Sequence, residues 1–540
     1  MIKEPSRILM GSRVSLIDRQ CIADGIDSKQ LMLNAGKAVA DKIICDIKEG
    51  MVQPGSKVLV LCGSGNNGGD GFVVALELLA AGVDTEILCM APVEKFTEDT
   101  GFYFDRLEHC KGAKITFLGT NEKKDEKILS GKLEQGSIIV DAIFGTGLHG
   151  SEIKGQAAYV IAMVNRARQS AKLLNKDFQV YSADIPSGVD SDNASILGEA
   201  IIADRTITFG CKKTGIALYP GRDYAGNVTV ADIGIPQSYY GAYEKYFEVD
   251  IEWVAAKMPQ RNFGTYKHAA GKLLVIAGSA GLTGAATLAC QAALRAGAGI
   301  VTLICPWELN SIMEIKLTEA MTYPVEQTDD ITLHMDAFED ILEHSEKFDA
   351  LAVGPGLSKN PSTICLVREI LKKIKKPTVL DADGLRALYG PKGIGEDDGP
   401  DLSHVIMTPH AGELSAILGT ERISQQERLK YNLEAVNKFG LVSVLKGAAT
   451  IIADPSQNIY INPTGSWALA TAGTGDILTG IIGSLLSQGL QLTDAAVCGT
   501  FIHGFASDII ASSTSRTAQI ASDILEGLKQ VFLEIEKIKY

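Results

Sequence analysis

The run Ala472-Gly473-Thr474-Gly475-Asp476 has the residue types to hold an anion and to move a proton beside it. Ile477, Leu478, Ile481, Ile482, Leu485 and Leu486 follow at helical spacing, so the glycines open a helix. A helix start offers unpaired N–H groups and the positive end of the dipole, which suits a phosphate. The same dipole is expected to hold Asp476 ionised in the first turn. A glycine-rich helix start is also a common packing device, so this turn by itself leaves both readings open.

Other strand ends carry comparable groups. Gly63-Ser64-Gly65-Asn66-Asn67-Gly68-Gly69-Asp70-Gly71 follows an apolar run, and a helix is expected from Phe72-Val73-Val74-Ala75. Glycines let a ligand meet backbone, and the two amides can bind a cation or a substrate. The pattern is not the Gly-x-Gly-x-x-Gly of ordinary dinucleotide binding. Asp141 leads into Ile143-Phe144-Gly145-Thr146-Gly147-Leu148, and Asp184 into Pro186-Ser187-Gly188. Singly, these carboxylates read as loop caps. Together, their oxygens can hold a hard cation and leave one carboxylate for proton transfer. Later in the chain come Gly278–Ala286, Gly354-Pro355-Gly356, Asp381-Ala382-Asp383, Thr408-Pro409-His410-Ala411-Gly412-Glu413, Lys446-Gly447-Ala448-Ala449-Thr450 and Asn462-Pro463-Thr464-Gly465. Taken one at a time, Asp381 and Asp383 are turn caps, His410 a satisfied surface histidine and Lys446 a solvated charge.

Two series of short β-branched runs, separated by polar helical stretches, must position these groups. The first is Lys57–Cys62, Glu86–Met90, Ile115–Leu118, Ser137–Phe144, Val180–Ile185, Thr206–Phe209 and Val228–Ile233. The second is Lys272–Ala277, Ile300–Cys305, Ala350–Val353, Thr378–Leu380, Val405–Met407, Leu441–Leu445 and Thr450–Ala453. Such runs predict two α/β domains with mostly parallel sheets buried on both faces. Ligands in such sheets sit beyond the carboxyl ends of the strands, where every motif falls. A helix with Leu31, Met32, Ala35, Val39 and Ile43 on one face, capped by Ser28, precedes the first series. The Tyr-rich, aperiodic stretch around 236–259 marks the boundary, giving domains 1–240 and 250–540.

At 540 residues, 46% hydrophobic and 21% charged, the chain has the composition of a globular protein with ample core. A net charge of −14 argues against a nucleic-acid or anionic-membrane surface. Ten cysteines, scattered singly, read as reduced core thiols. No signal-peptide core and no apolar run of membrane-spanning length is expected, so the compartment expected is the cytoplasm.

The first half resembles the NAD(P)H-hydrate epimerase domain, on Leu16-Ile17-Asp18, Leu31-Met32-Leu33-Asn34-Ala35-Gly36, the Asn66–Gly71 loop and the Ile185–Gly188 turn. The resemblance implies potassium at Asn67, Asp141 and Ser187. It implies hydrate contacts at Asn66, Asn67, Gly68, Gly69 and Asp70, at Gly145, Thr146, Gly147, Leu148, His149, Gly150 and Ser151, and at Asp184, the expected proton-transfer residue. Inverting the hydroxyl-bearing C6 of the damaged ring needs acid–base help but no redox cofactor. Ser64 stands where that family usually has proline, and Leu33 where glutamate is common.

The second half resembles the ribokinase-like superfold, and within it the ADP/ATP-dependent NAD(P)H-hydrate dehydratase. The expected fold is therefore two three-layer α/β/α domains, Rossmann-like then ribokinase-like. The resemblance implies hydrate contacts at Ala285, Gly356, His410 and Asp476, with Asp476 as the base. It implies nucleotide contacts at Lys446, Gly447, Ala448, Ala449, Thr450 and Gly475, with Mg2+ accompanying ADP or ATP. Ala411 departs from the commoner Thr-Pro-His-Pro-Gly-Glu. The implied partners are NAD(P)H hydrates and ADP or ATP, in a homo-oligomer. Fusion of both halves is the arrangement of bacterial and archaeal members and favours ADP as donor. Two alternatives stay open: a ribokinase-like kinase for a small alcohol, and a first half that binds ligand without turnover.

Overall fold

The alternation of apolar strands and amphipathic helices builds two doubly wound sheets, each in its own unit. The structure, a computed structural model, describes residues 4–53, 55–119, 122–135, 137–148, 150, 152–243, 245–261, 263–389 and 401–539. The chain divides into two compact units, Arg7–Glu244, and Lys245–Tyr540 with the first residues through Ser6.

In the first unit the sheet runs Lys114–Phe117, Thr85–Cys89, Val58–Cys62, Ile138–Ala142, Gln179–Ala183, Arg205–Phe209, Asn227–Ala231, all parallel. Counted along the chain, this order is 3-2-1-4-5-6-7, the doubly wound order with one added strand. The order reverses between Val58–Cys62 and Ile138–Ala142, and the glycine loop and Asp141 stand at that switch point. Val58, Val60 and Cys62 pack into one core and Leu59 and Leu61 into another, so helices cover both faces. A short parallel pair, Ser6–Leu9 with Lys212–Lys213, fixes Lys213 beside Leu9.

The second unit repeats the order. Met321–Val325, Ile300–Pro306, Lys272–Ile276, Ala350–Val353, Thr378–Leu380, Val405–Met407 and Val442–Leu445 are parallel, again 3-2-1-4-5-6-7. Ile451–Ala453 and Ile459–Ile461 then add antiparallel strands, and Tyr246–Glu248 pairs parallel with the last. Leu273 and Val275 face one core, Leu274 and Ile276 the other.

Several expectations need correction. The helix after the first glycine loop spans Asn66–Ala80, so Asn66–Asp70 are its first turns and not a loop before Phe72. Glycine permits this, because the helix start is pressed onto its neighbours. A β-carbon on Gly68 would lie 2.1 Å from the Gly63 carbonyl, and one on Gly71 would meet Cys62 and Ala142 within 2.8 Å. The cap of helix Ser28–Lys48 is Asp27, whose carboxylate accepts from the Lys29 N–H, and Ser28 is the first helical residue. The stretch taken as aperiodic holds strand Tyr246–Glu248 and helix Ile251–Lys257. Helix Leu492–Ser513 is long and apolar enough to cross a membrane by length and composition, contrary to expectation. Some 67% of its apolar window is buried inside the unit, where it packs on helices Thr474–Ser487 and Ala521–Lys539. Seven cysteines are buried, while Cys45 and Cys365 are exposed and Cys110 is half-buried, so not all are core thiols.

Candidate active sites

At the switch point of the first unit lies a cleft of about 720 Å³, lined by Asn66, Asn67, Asp70, the 145–148 loop, Asp184 and two residues the sequence reading did not place there as ligands, Asp18 and Lys213. Asp18 comes from helix Gly11–Ala23 and Lys213 from the short strand pair. Lys213 is fully buried and ion-paired with Asp184 Oδ1, and its ammonium also donates to Thr208 Oγ1 at 3.0 Å and to the Phe209 carbonyl at 2.8 Å. Asp184 sits at φ +66°, a strained left-handed conformation that turns its carboxylate back to accept from the Phe209 N–H at 3.1 Å. Burial pushes the Asp18 carboxyl up to about 6, with Lys213 opposing and Asp184 adding to the rise. Burial pushes Asp70 well above the usual carboxylate range, helped by Asp184 and Asp18. The cleft thus combines a lysine-paired carboxylate with two buried carboxyls whose pKa values are raised.

Beneath it, Asp141 accepts from Ser187 N at 2.8 Å, from Ser187 Oγ at 2.5 Å and from Ser182 Oγ at 2.9 Å. Burial still raises its pKa against those hydrogen bonds. Asn67 is buried with neither amide atom partnered, its side chain against Gly145. Asn67 thus lies against the loop whose Phe144 N–H donates to Ser187 Oγ at 2.9 Å, and amide, carboxylate and hydroxyl oxygens are the donor types that fit a hard monovalent cation. Gly68 and Gly69 do not line the cleft. They serve close packing, with Gly69 against Met32. Gly150 is likewise outside the lining, and His149 and Ser151 lie outside the described residues.

In the second unit, the loops at the switch point are tied together. Gly278 N donates to Pro355 O at 2.9 Å and Ser279 Oγ to Gly356 O at 2.8 Å. Gly356, at φ +64°, lies against Leu282 and Ala285, where a β-carbon would come within 3.2 Å of the Ala285 methyl. Ala285 and Gly356 therefore meet. Helix Thr474–Ser487 opens on Gly473 at φ +92° and puts Asp476 in its first turn, with Ile477 through Leu486 buried. A β-carbon on Gly475 would stand 3.5 Å from Lys446 Nζ and 3.7 Å from Asp381 Oδ2, so these three groups share one corner.

Asp476 does not sit in the usual carboxylate range that the dipole argument implies. Burial pushes its carboxyl up to about 7, reinforced by Asp381 and Asp383 and opposed by Lys446. Desolvation outweighs the helix end here. Burial acts the same way on Asp381, but the Lys446 ammonium outweighs it, and Asp381 lies below the usual carboxylate range. His410 caps helix Ala411–Leu418: Nδ1 accepts from Gly412 N and Glu413 N, and Glu413 accepts from His410 N. Its Nε2 lies 3.6 Å from Glu413 Oε1, on a side chain 60% exposed.

Lys446 N donates to Pro409 O at 2.8 Å, joining the His410 turn to the 446–450 loop. Arg428 holds that loop from inside, donating to Ala448 O at 2.5 Å and to Leu445 O at 3.0 Å, with Gly447 against its guanidinium. Sequence reasoning missed Arg428, since an arginine on a polar helix carries no mark of burial. It also missed His503, buried on helix Leu492–Ser513 and hydrogen-bonded to the Thr474 backbone, its pKa lowered by burial to about 4.

An open parallel sheet with a glycine-opened helix, an aspartate in its first turn and a lysine beside it defines the second unit as a ribokinase-like domain. The family is given by similarity along the whole chain. A family model described as NAD(P)H-hydrate dehydratase matches residues 273–529, and one described as YjeF-related protein N-terminus matches 28–215. The bifunctional NAD(P)H-hydrate repair enzyme of Moorella thermoacetica is 38% identical over 95% of this chain and 94% of that one. Its namesake from Thermofilum pendens is 35% identical over 93% and 91%. The solved Bacillus subtilis ADP/ATP-dependent NAD(P)H-hydrate dehydratase, co-crystallised with ATP and Mg2+, is 30% identical with a TM-score of 0.45, covering 53% of this chain and 97% of that one. The chain belongs to the family of bifunctional NAD(P)H-hydrate repair enzymes.

Proposed function

We propose that the first unit interconverts the R and S hydrates of NADH and NADPH, and that the second dehydrates the S form at the expense of ADP or ATP. A dehydratase specific for one epimer would strand the other, so the two activities complement each other in one chain. The observation that carries the reading is Asp476, a carboxyl near pKa 7 in the first turn of a glycine-opened helix and close to Lys446.

In the first unit, Asp70 holds a proton that a departing C6 hydroxyl can take, and Asp184 accepts one from the water that returns to the other face. One cycle leaves Asp70 without its proton and Asp184 with one, and proton exchange with solvent resets both. Asn67, Asp141 and Ser187 would hold potassium, which supplies positive charge under the ring-binding loop. In the second unit, Ala285, Gly356 and His410 border the hydrate, while Gly475 and Lys446 through Thr450 border the nucleotide. Asp476 takes the proton of the C6 hydroxyl as that oxygen attacks the terminal phosphoryl group, releasing AMP from ADP or ADP from ATP. Phosphate then leaves C6 as C5 loses a proton, which restores the dihydronicotinamide. Magnesium brought with the nucleotide offsets phosphate charge. The Lys446 ammonium and the free N–H groups of the helix start stabilise charge growing on the transferred group.

The test supplies separated epimers. S hydrate with ADP and Mg2+ should regain the absorbance of the reduced nicotinamide. R hydrate should do so faster than spontaneous epimerisation only while the first unit is active. Phosphorylation of a small alcohol with neither epimer consumed would replace this reading by that of a kinase.

A further inference from the structure

Four charged side chains of the second unit meet at one corner, and one of them, Asp381, has no part in the reaction just described. It follows strand Thr378–Leu380, is buried, and has both carboxylate oxygens engaged. Lys446 Nζ lies 2.6 Å from Oδ1, and Thr479 Oγ1 donates to Oδ2 at 2.7 Å. Thr479 stands one turn beyond Asp476 on the same helix, and its hydroxyl is also 3.1 Å from the Gly475 carbonyl. Asp381 therefore ties the lysine-bearing strand end to the first turn that carries the base. Asp476, by contrast, has no ion pair among the described residues.

Lys446 has other anions to choose from. Glu413 faces it from helix Ala411–Leu418 and Asp476 from helix Thr474–Ser487. His503 adds no charge from helix Leu492–Ser513, being neutral above about pH 4. Asp383 faces Asp476, but its own oxygens accept from Arg386 Nε at 3.0 Å and Ser358 N at 3.0 Å. A carboxylate in contact with an ammonium loses basicity. Asp184 can bear that loss, since the water it deprotonates adds to a cationic ring and turns acidic, whereas Asp476 must take its proton from a neutral alcohol. Something has to keep the lysine off Asp476. We propose that Asp381 is a positioning residue for dehydration: by engaging Lys446 and, through Thr479, the start of the catalytic helix, it leaves Asp476 unpaired and basic. The inference rests on the dehydratase reading of this unit.

The experiment compares the wild-type chain with Asp381→Asn, Asp381→Glu and Thr479→Val. In Asp381→Asn the lysine turns to Asp476, so the acid limb of the dehydration rate, near pH 7 in the wild type, moves down by about one unit or more. The turnover number falls on the order of 10- to 100-fold. Asp381→Glu restores part of the rate. Thr479→Val leaves the ion pair intact, so it lowers turnover without moving the pH limb or the nucleotide Kd. An Asp381→Asn enzyme with the wild-type limb and only a raised nucleotide KM would overturn the proposal. So would full turnover in Thr479→Val, which also decides the matter if Asp381→Asn does not fold. Carboxyl carbon NMR of 13C-aspartate protein, with Asp476→Asn to assign the signal, follows Asp476 without substrate. A wild type that never dehydrates the hydrate would refute the dehydratase reading, while the titration still judges Asp381. An Asp476 signal that titrates identically with and without Asp381 refutes the inference alone.

Discussion

Lys213, with none of its side chain exposed, is ion-paired with Asp184 and hydrogen-bonded to Thr208 and Phe209, so one ammonium fixes the strained turn that carries the first unit's proposed base. Removing one partner of a buried pair strands the other, at a cost of about 3–5 kcal/mol. Lys213→Met is therefore expected to destabilise the first unit by that order and to abolish epimerisation. Denaturant unfolding of Lys213→Met against the double variant Asp184→Asn/Lys213→Met checks it. The double variant should regain much of the stability and none of the activity. Equal losses in both would mean that the pair contributes nothing beyond packing.

Asp184→Asn removes the acceptor for a proton and leaves the buried Lys213 ammonium without its carboxylate, so its folding is checked by denaturant unfolding alongside its activity. Epimerisation should fall on the order of 100-fold or more, and the S hydrate should still be consumed with ADP. Chiral separation of the two epimers over time reads both. Full-speed equilibration would remove Asp184 from the mechanism.

Asp476 works as a base only in its carboxylate form, and its raised pKa puts that form above about pH 7. The dehydration rate should therefore rise with pH through about 7 and flatten beyond it, since protonation on the acid side removes the base. Asp476→Asn should lose dehydration with nucleotide still bound, measured by calorimetry with ADP and Mg2+. Normal turnover in that variant would mean that another group is the base.

The corner at Gly475 has room for one methyl group in ordinary contact, 3.5 Å from Lys446 Nζ. Gly475→Ala should thus fold at least as well as the wild type, with up to about 1 kcal/mol gained from helix propensity. Its methyl group fills the space assigned to the nucleotide, so ADP affinity should drop severalfold or more. Unchanged affinity would place the nucleotide elsewhere.

Asn67 has both amide atoms buried and unpartnered, which is costly unless something fills the gap. Potassium should raise the melting temperature of the first unit relative to tetramethylammonium at equal ionic strength, and Asn67→Leu should erase that difference. A persistent potassium effect in Asn67→Leu would take Asn67 out of the ion site.

Much of this organisation was legible in the sequence because β-branched runs, glycine turns and strand-end carboxylates are local signals. The fourteen expected strands all form, with ends shifted by a few residues. Five more strands among the described residues escaped notice: Ser6–Leu9, Lys212–Lys213, Tyr246–Glu248, Met321–Val325 and Ile459–Ile461. They are short or partly exposed, and nothing local separates Lys213 from a surface lysine. The raised pKa of Asp476 escaped the sequence for a similar reason. A helix dipole can be read from sequence, whereas desolvation depends on which residues the fold brings around the carboxyl. Arg428 and Asp381 act through partners 17 or more residues away, and such pairings exist only once the sheet is assembled.

The measurement that bears most directly on the central claim is recovery of reduced nicotinamide from a mixed R/S hydrate sample incubated with the chain, Mg2+, K+ and ADP. Two activities in one chain predict complete recovery, faster than spontaneous epimerisation allows. Recovery that halts at the S fraction would contradict an active first unit, and no recovery with either ADP or ATP would contradict the repair function itself.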